Sequence, residues 1–135
     1  MRGFGVLGGR NCYGHNFRFI CFLPSFWFVT KNARIHTDIF LAQLLAEVNE
    51  IQWDVVCLSE TRAEDGNYTL DDGHRLFCGR NEFKYAGVSI LVHARWTGSI
   101  VRFCKVSDRV VYGDLLINDR KYRIIAVYVP HGGYE

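Results

Sequence analysis

The order of apolar and polar residues predicts a strand–helix–strand unit in the first half of the chain. Residues 25–31 are aromatic and β-branched, which favours a short buried strand. Residues 53–59 contain a continuous apolar run, and such a run is typical of a central strand that is covered on both faces. A unit of this kind is expected to be parallel and right-handed.

The segment between these two strands is predicted to be a helix over residues 38–50. Leu41, Leu44 and Val48 recur at helical spacing and would place one apolar face against the sheet. Asp38 is a residue type that can cap the first turn, so we expect the helix to begin there.

The second half of the chain is predicted to consist of β strands. Residues 63–73 are polar and rich in turn residues, which favours a loop, and a hairpin turn is predicted at residues 118–121. The strand candidates are residues 75–78, 88–93, 100–106, 110–117 and 122–129. The glycine-rich residues 1–24 are predicted to be a loose leader, and whether they belong to the native domain is left open. Residues 25–135 are predicted to form one domain.

The composition adds limits on size, compartment and partners. A chain of 135 residues suffices for one domain, and 49% hydrophobic residues with 2 prolines favour a packed core. The formal net charge of +2 is too small to indicate a nucleic-acid binder by itself. The 5 cysteines include no CxxC pair, which favours reduced thiols in an intracellular, nuclear or cytoplasmic protein.

Zinc and membrane association have little support in the sequence. The 5 histidines lack the spacing of a zinc site. The apolar residues 17–29 form a segment shorter than the ~20 residues that a membrane span needs, so no stable membrane association is expected. A signal peptide or membrane anchor at this segment remains an open alternative.

Two polar residues are expected at one edge of the predicted sheet. Asn32 follows the first strand and Glu60 follows the second, and the carboxyl ends of parallel strands meet at one edge, where ligands usually bind. An amide oxygen and a carboxylate are hard donors that suit Mg²⁺. Polar residues also commonly end buried strands without any ligand, and that interpretation stays open here.

Several motifs of the chain resemble those of the endonuclease/exonuclease/phosphatase superfamily. The resemblance rests on WDVVCLSETR at residues 53–62, NAR at 32–34, GVSILV at 87–92 and AVYVP at 126–130. The first resembles the family's metal-binding strand, which ends in Glu-Thr, and the last resembles its Tyr-x-Pro strand end. The pairing of the first two is most similar to the endonuclease domains of non-LTR retrotransposons.

This resemblance implies an α+β fold, a partial four-layer α/β/β/α sandwich truncated after its first half. It also implies Mg²⁺-dependent (or Mn²⁺-dependent) hydrolysis of phosphodiester bonds, with DNA as the partner. Glu60 would ligate the metal, Asn32 would hold the metal or the phosphate, and Tyr128 would hydrogen-bond the phosphate. His131 stands where many family members carry Asn, and it would contact phosphate.

The family completes its site with later residues, and these have no counterpart in this chain. They are an Asp that activates water and an Asp–His pair. Asp114 follows the chain's single Gly-Asp step, but it lies within a predicted strand and lacks the Asn of the family motif. We therefore expect the chain to be inactive alone. We also expect an uncovered inner sheet face that favours self-association.

The alternative function is a domesticated, non-catalytic nucleic-acid-binding module. Such a module would need a basic stripe on its surface. The residues that could form this stripe are Arg75, Arg80, Lys84, Arg95, Arg102 and Lys105.

Overall fold

The computed structural model describes residues 5–7, 11–12, 15–16, 18–23, 26–79 and 87–129, with side chains from residue 26 onward. The fold is mixed α+β and strands dominate it, which confirms the predicted class at this level. The helix α1 spans Asp38–Val48, and a 3₁₀ helix spans Ala94–Ser99. The strands are β1 (Gly5–Leu7), β2 (Asn11–Cys12), β3 (His15–Asn16), β4 (Arg18–Leu23), β5 (Phe26–Asn32), β6 (Val55–Ser59), β7 (Gly66–Thr69), β8 (Arg75–Cys78), β9 (Val88–Val92), β10 (Ile100–Ser107), β11 (Val110–Ile117) and β12 (Arg120–Val127).

These strands form two main sheets. The first sheet has seven strands in the order β1-β4-β5-β6-β9-β8-β7, and the second has three in the order β10-β11-β12. Strands β2 and β3 form a separate pair. Strands β5 and β6 are parallel, as predicted for a strand–helix–strand unit, and the other described pairs are antiparallel.

Helix α1 packs on one face of the first sheet. Its Leu44 and Val48 are buried against a cluster that includes Val29 of β5. The capping residue is Thr37 and not Asp38, because the Thr37 hydroxyl accepts the Phe40 N–H at 3.3 Å. Asp38 is instead the first helical residue, where its negative charge interacts favourably with the positive end of the helix dipole.

The three-stranded sheet packs on the opposite face of the first sheet. Ile90 of β9 is buried in one cluster with Val111, Leu115 and Ile124 of the second sheet, and Phe77 stacks on Phe103 at a centroid distance of 5.0 Å. The described layers are therefore helix, sheet and sheet. The expectation of an uncovered inner face was wrong for this region, because the last three strands form a second sheet instead of extending the first.

The hairpin between β11 and β12 explains how the second sheet forms. Asn118 and Asp119 have φ angles of 52° and 62°, and two successive residues of positive φ make the turn that matches the twist of paired strands. The predicted turn at this position is confirmed.

Two segments differ from their predictions. Gly66–Thr69 forms a strand inside the predicted loop of residues 63–73, since its backbone pairs with Arg75–Cys78 at the edge of the first sheet. Arg18–Leu23, within the predicted leader, pairs antiparallel with Phe26–Asn32. Neither helix of the described region has the length and the apolar composition that a membrane span requires.

A buried carboxylate joins the elements at the start of β6. Asp54 is fully buried. One of its oxygens accepts the Trp27 N–H at 2.7 Å and the other accepts the Trp96 indole N–H at 2.6 Å. Arg95 lies 3.5 Å from the same carboxylate and neutralises its charge. The group thus links β5 and the 3₁₀ helix through one side chain.

Substituting Asp54→Ala should lower the free energy of unfolding by about 3 kcal/mol, because two buried donors lose their acceptor. Urea denaturation of the variant and the wild type measures this difference. Asp71→Ala, at an exposed carboxylate, is the control and should change stability by less than about 0.5 kcal/mol. Equal stability of the Asp54 variant and the wild type would contradict the assigned role.

Candidate functional site

Asn32 and Glu60 emerge at the same end of the first sheet. Asn32 is the register partner of Ser59 in the parallel pair of β5 and β6, and Glu60 is the next residue. The Ser59 hydroxyl donates a hydrogen bond to the Asn32 side-chain oxygen, and the Ala33 N–H donates to the Ser59 carbonyl at 3.1 Å. The ends of these two strands therefore lie at the same edge of the sheet, as predicted.

The backbone that presents Glu60 has an uncommon conformation. Glu60 and Arg62 have φ angles of 57° and 54°, in the left-handed region that costs a residue with a side chain about 1 kcal/mol. Thr61 between them is buried. Its N–H donates to the Gly87 carbonyl at 3.3 Å, and its hydroxyl accepts from Ser89 at 3.2 Å. The buried Thr61 holds the two flanking residues in this strained form, which is typical of functional sites.

Tyr128 joins the two sheets at this site. Its hydroxyl donates to one carboxylate oxygen of Glu60 at 3.3 Å, and its N–H donates to the Arg109 carbonyl at 2.8 Å. The half-buried ring packs against the cluster between the sheets. The structure thus brings three of the predicted site residues, Asn32, Glu60 and Tyr128, to one end of the molecule.

The other sequence candidates do not belong to this arrangement. His131 lies outside the described residues, so its predicted contact with phosphate stays a prediction. Asp114 lies on the outer face of β11, where Arg123 binds it at 2.8 Å and Arg102 at 3.0 Å. These guanidinium groups lower the pKa of Asp114 to about 2. The interpretation that Asp114 is no substitute for the family's later Asp agrees with this position.

The donor groups at this end fit a divalent cation in part. Glu60 and Asn32 offer hard oxygens, and the hydroxyls of Tyr128 and Ser59 each orient one of them. Mg²⁺ commonly takes one or two protein carboxylates and keeps water and substrate phosphate as its remaining ligands. A closed protein cage is not present, since the described part of the chain has no group of three or more His, Cys, Asp or Glu side chains that could hold a metal.

The basic residues of the alternative binding stripe are engaged in local contacts. Arg80 and Lys84 lie outside the described residues. The described members and their partners are Arg75 with Asn67 (2.6 Å), Arg95 with Asp54 (3.5 Å), Arg102 with Asp114 (3.0 Å) and Lys105 with Asp108 (2.8 Å). Three of the four pair with a carboxylate, which reduces the positive field available to a phosphate backbone.

A second polar cluster lies at the opposite end of the first sheet. The rings of Trp53, His74 and His93 stand 4.5–4.8 Å apart. His74 Nδ1 accepts the Ala94 N–H at 2.8 Å, and His93 Nδ1 accepts the Arg95 N–H at 3.2 Å. Because each histidine is already held by backbone and neighbouring rings, this cluster stabilises the fold. Burial lowers the pKa of both histidines.

Sequence reasoning did not single out Ser59, Thr61 and Ser89 as part of the site. The position of Ser59 opposite Asn32 could have been predicted only if the register of the parallel pair had been known. Ser89 carries no local signal, because its contact with Thr61 depends on the antiparallel pairing of β6 and β9.

The sequence matches no protein-family model and no curated protein.

The strain at Glu60 predicts an unusual order of stabilities. Glu60→Gly should be more stable than Glu60→Ala by about 1 kcal/mol, because both lose the carboxylate and glycine alone adopts positive φ without cost. Chemical denaturation of the two variants tests this. The same pair at the exposed Glu64, which has no positive φ, should show alanine equal to or better than glycine. The alanine variant being the more stable at Glu60 would contradict the strain.

The histidine cluster predicts a loss of stability in mild acid. The folded pKa values of His74 and His93 are lowered, so below about pH 6.5 the unfolded chain binds more protons than the folded one and stability falls. Denaturation midpoints between pH 8 and pH 5 measure this slope. The slope should decrease in the His74→Gln, His93→Gln double variant and persist in the exposed control His36→Gln. An unchanged slope in the double variant would show that other groups cause it.

Proposed function

We propose that this chain carries the metal-binding and phosphate-binding edge of a Mg²⁺-dependent phosphodiester hydrolase that acts on DNA, similar to retrotransposon endonucleases. One observation carries the proposal. Glu60 is held in a left-handed conformation at a strand end, beside Asn32, while Tyr128 reaches its carboxylate from the other sheet. The resemblance of the same residues to the superfamily motifs supports the assignment of substrate class.

Glu60 is the proposed ligand of the cation. Tyr128 binds one of its carboxylate oxygens, so the second oxygen is the one offered to a metal ion. The strained backbone supports this role, because residues held in a left-handed conformation cluster at functional sites. A bound Mg²⁺ would supply Lewis-acid stabilisation of the charge that builds on the phosphoryl oxygens.

Asn32 is the proposed second donor. Its side-chain oxygen accepts from Ser59, and this bond uses one oxygen lone pair and neither N–H of the amide. The residue is exposed at the strand end. An amide of this kind either ligates the ion or donates to a phosphate oxygen.

Tyr128 is the proposed positioning residue between the sheets. Its hydroxyl donates to the Glu60 carboxylate, and a phosphate bound beside Glu60 would compete with that carboxylate for the single O–H. The ring is fixed by packing between the sheets, so the hydroxyl needs no reorganisation to serve either group.

Hydrolysis needs a base that takes a proton from water. Glu60 is the proposed metal ligand, and the contacts described around it bring no other group that could act as this base. The groups that these contacts bring to the edge are the hydroxyls of Ser59, Thr61, Ser89 and Tyr128 and the amide of Asn32. None of them is a general base near neutral pH. With no such base among the described residues of this edge, we expect binding of the ion with little or no hydrolysis.

Calorimetric titration with Mg²⁺ tests the cation site. The wild-type chain should bind one ion, and Glu60→Gln should weaken binding by at least about tenfold, because a neutral amide replaces the single carboxylate ligand. Asp108→Asn is the matched control, since that carboxylate pairs with Lys105 on β10 and should not affect binding. Equal affinity of wild type and Glu60→Gln would reject the proposed site.

A supercoiled-plasmid nicking assay with Mg²⁺ tests the expected lack of catalysis separately. The wild type and Glu60→Gln should both leave the plasmid closed. Nicking that depends on Glu60 would keep the metal site but overturn the expectation that no base acts beside it.

A further inference from the structure

Two histidine side chains hold the start of the 3₁₀ helix. His74 is buried just before β8, and its Nδ1 accepts the Ala94 N–H at 2.8 Å. His93 caps the helix, and its Nδ1 accepts both the backbone N–H and the Nε–H of Arg95, each at 3.2 Å. Ala94 also lies against the turn at residues 71–73, since its Cβ is 3.3 Å from the position that a Cβ added to Gly73 would occupy.

Both histidines must be neutral for these bonds to form. A neutral imidazole has one nitrogen that accepts a hydrogen bond and one that carries a proton. The accepting nitrogen is Nδ1 in both His74 and His93, so a further proton binds at the atom that holds the helix. Protonation of His74 leaves the Ala94 N–H without this acceptor, and protonation of His93 removes the acceptor of two Arg95 donors.

The charged groups around the two rings decide how costly protonation is. Arg95 contacts His93, and the two imidazole rings are 4.5 Å apart, so two imidazolium groups would lie beside each other and beside a guanidinium. The carboxylates of Asp72 and Asp54 act in the opposite sense, but Asp72 is exposed and Asp54 already pairs with Arg95. Burial is the main cause that lowers the pKa of both histidines, and the Arg95 charge lowers it further.

The remaining contacts of the 3₁₀ helix do not depend on the histidines. Trp96 packs against Phe26 at a ring-centroid distance of 5.1 Å and donates its indole N–H to Asp54. The two sheets are held together by apolar side chains such as Val111 and Leu115, which do not titrate. Loss of the histidine bonds would therefore free the start of the helix without unfolding either sheet.

We propose that the 3₁₀ helix is a pH-sensitive element, whose start leaves the turn at residues 71–73 when His74 and His93 become protonated below about pH 6.5, while both sheets stay folded. The helix connects β9 of the first sheet to β10 of the second, so its release changes the connection between the sheets. This inference is independent of the proposed function, since it uses no group of the cation site.

The direction of the pH effect follows from proton binding. In the released form the two histidines bind protons at their ordinary pKa, and in the attached form they bind them less readily. Acid therefore favours release. For each proton taken up, the ratio of released to attached molecules rises by up to about tenfold per pH unit.

Two-dimensional NMR of the full 135-residue chain between pH 7.5 and pH 5 tests the proposal. The nuclear Overhauser effect between the Gly73 α protons and the Ala94 methyl group measures attachment directly. It should be present at pH 7.5 and lost by about pH 5.5. The amide signals of Val29 and Val56, which are paired in the first sheet, should keep their positions over the same range.

Histidine variants test which groups cause the release. The His74→Gln, His93→Gln double variant should keep the contact at pH 5, because a glutamine oxygen can accept the same N–H groups and does not titrate. Each single variant should lose the contact over a broader pH range than the wild type, because one proton drives the release instead of two. His36→Gln, at an exposed histidine, is the control and should lose the contact as the wild type does.

Three results would overturn the proposal. The first is a wild type that keeps the contact between Gly73 and Ala94 at pH 5. The second is a loss of this contact that coincides with loss of the Val29 and Val56 signals, because the whole chain then unfolds. The third is a set of single and double histidine variants that release the helix with the midpoint and the steepness of the wild type.

Discussion

The parallel pairing of β5 with β6 is the constraint on which the rest of the structure depends. The connection through α1 brings two strand ends to one edge, and the register sets Asn32 opposite Ser59. The same pairing aligns Trp27 with Asp54 at the other end, where the carboxylate links β5 to the 3₁₀ helix. A shift of this register would therefore disrupt both the candidate site and the buried network.

The second sheet converts this edge into a possible binding site. Tyr128 can reach Glu60 because the β11–β12 hairpin packs over β6 and β9 and directs the end of β12 toward the same edge. The strain at Glu60 is kept by the burial of Thr61, whose bonds to Gly87 and Ser89 would be lost if the backbone relaxed. Packing in the core thus stabilises the half-buried Glu60 in a backbone conformation that it would not adopt alone.

The sequence allowed the helix, the β5 and β6 strands and the position of Asn32 and Glu60 at one edge of the sheet to be predicted, because these depend on local periodicity and on the handedness of one connection. The second sheet was not foreseen, since the same alternation along β10, β11 and β12 fits an extension of the first sheet equally well. The strand Gly66–Thr69 was not predicted, because its residues are polar and its stability comes from backbone pairing with β8. Contacts such as Thr61 with Ser89 depend on a register that the sequence does not encode locally.

The most direct test of the central claim, that Asn32, Glu60 and Tyr128 form a divalent-cation site, is a titration with Mn²⁺ followed by two-dimensional NMR of backbone amides. The paramagnetic ion broadens the signals of nearby nuclei. We expect early broadening at Asn32, Ala33, Glu60 and Thr61, with the amides of His74 and His93 at the far end of the sheet unaffected until much later. Broadening that begins at the histidine end, or that is uniform along the chain, would contradict it.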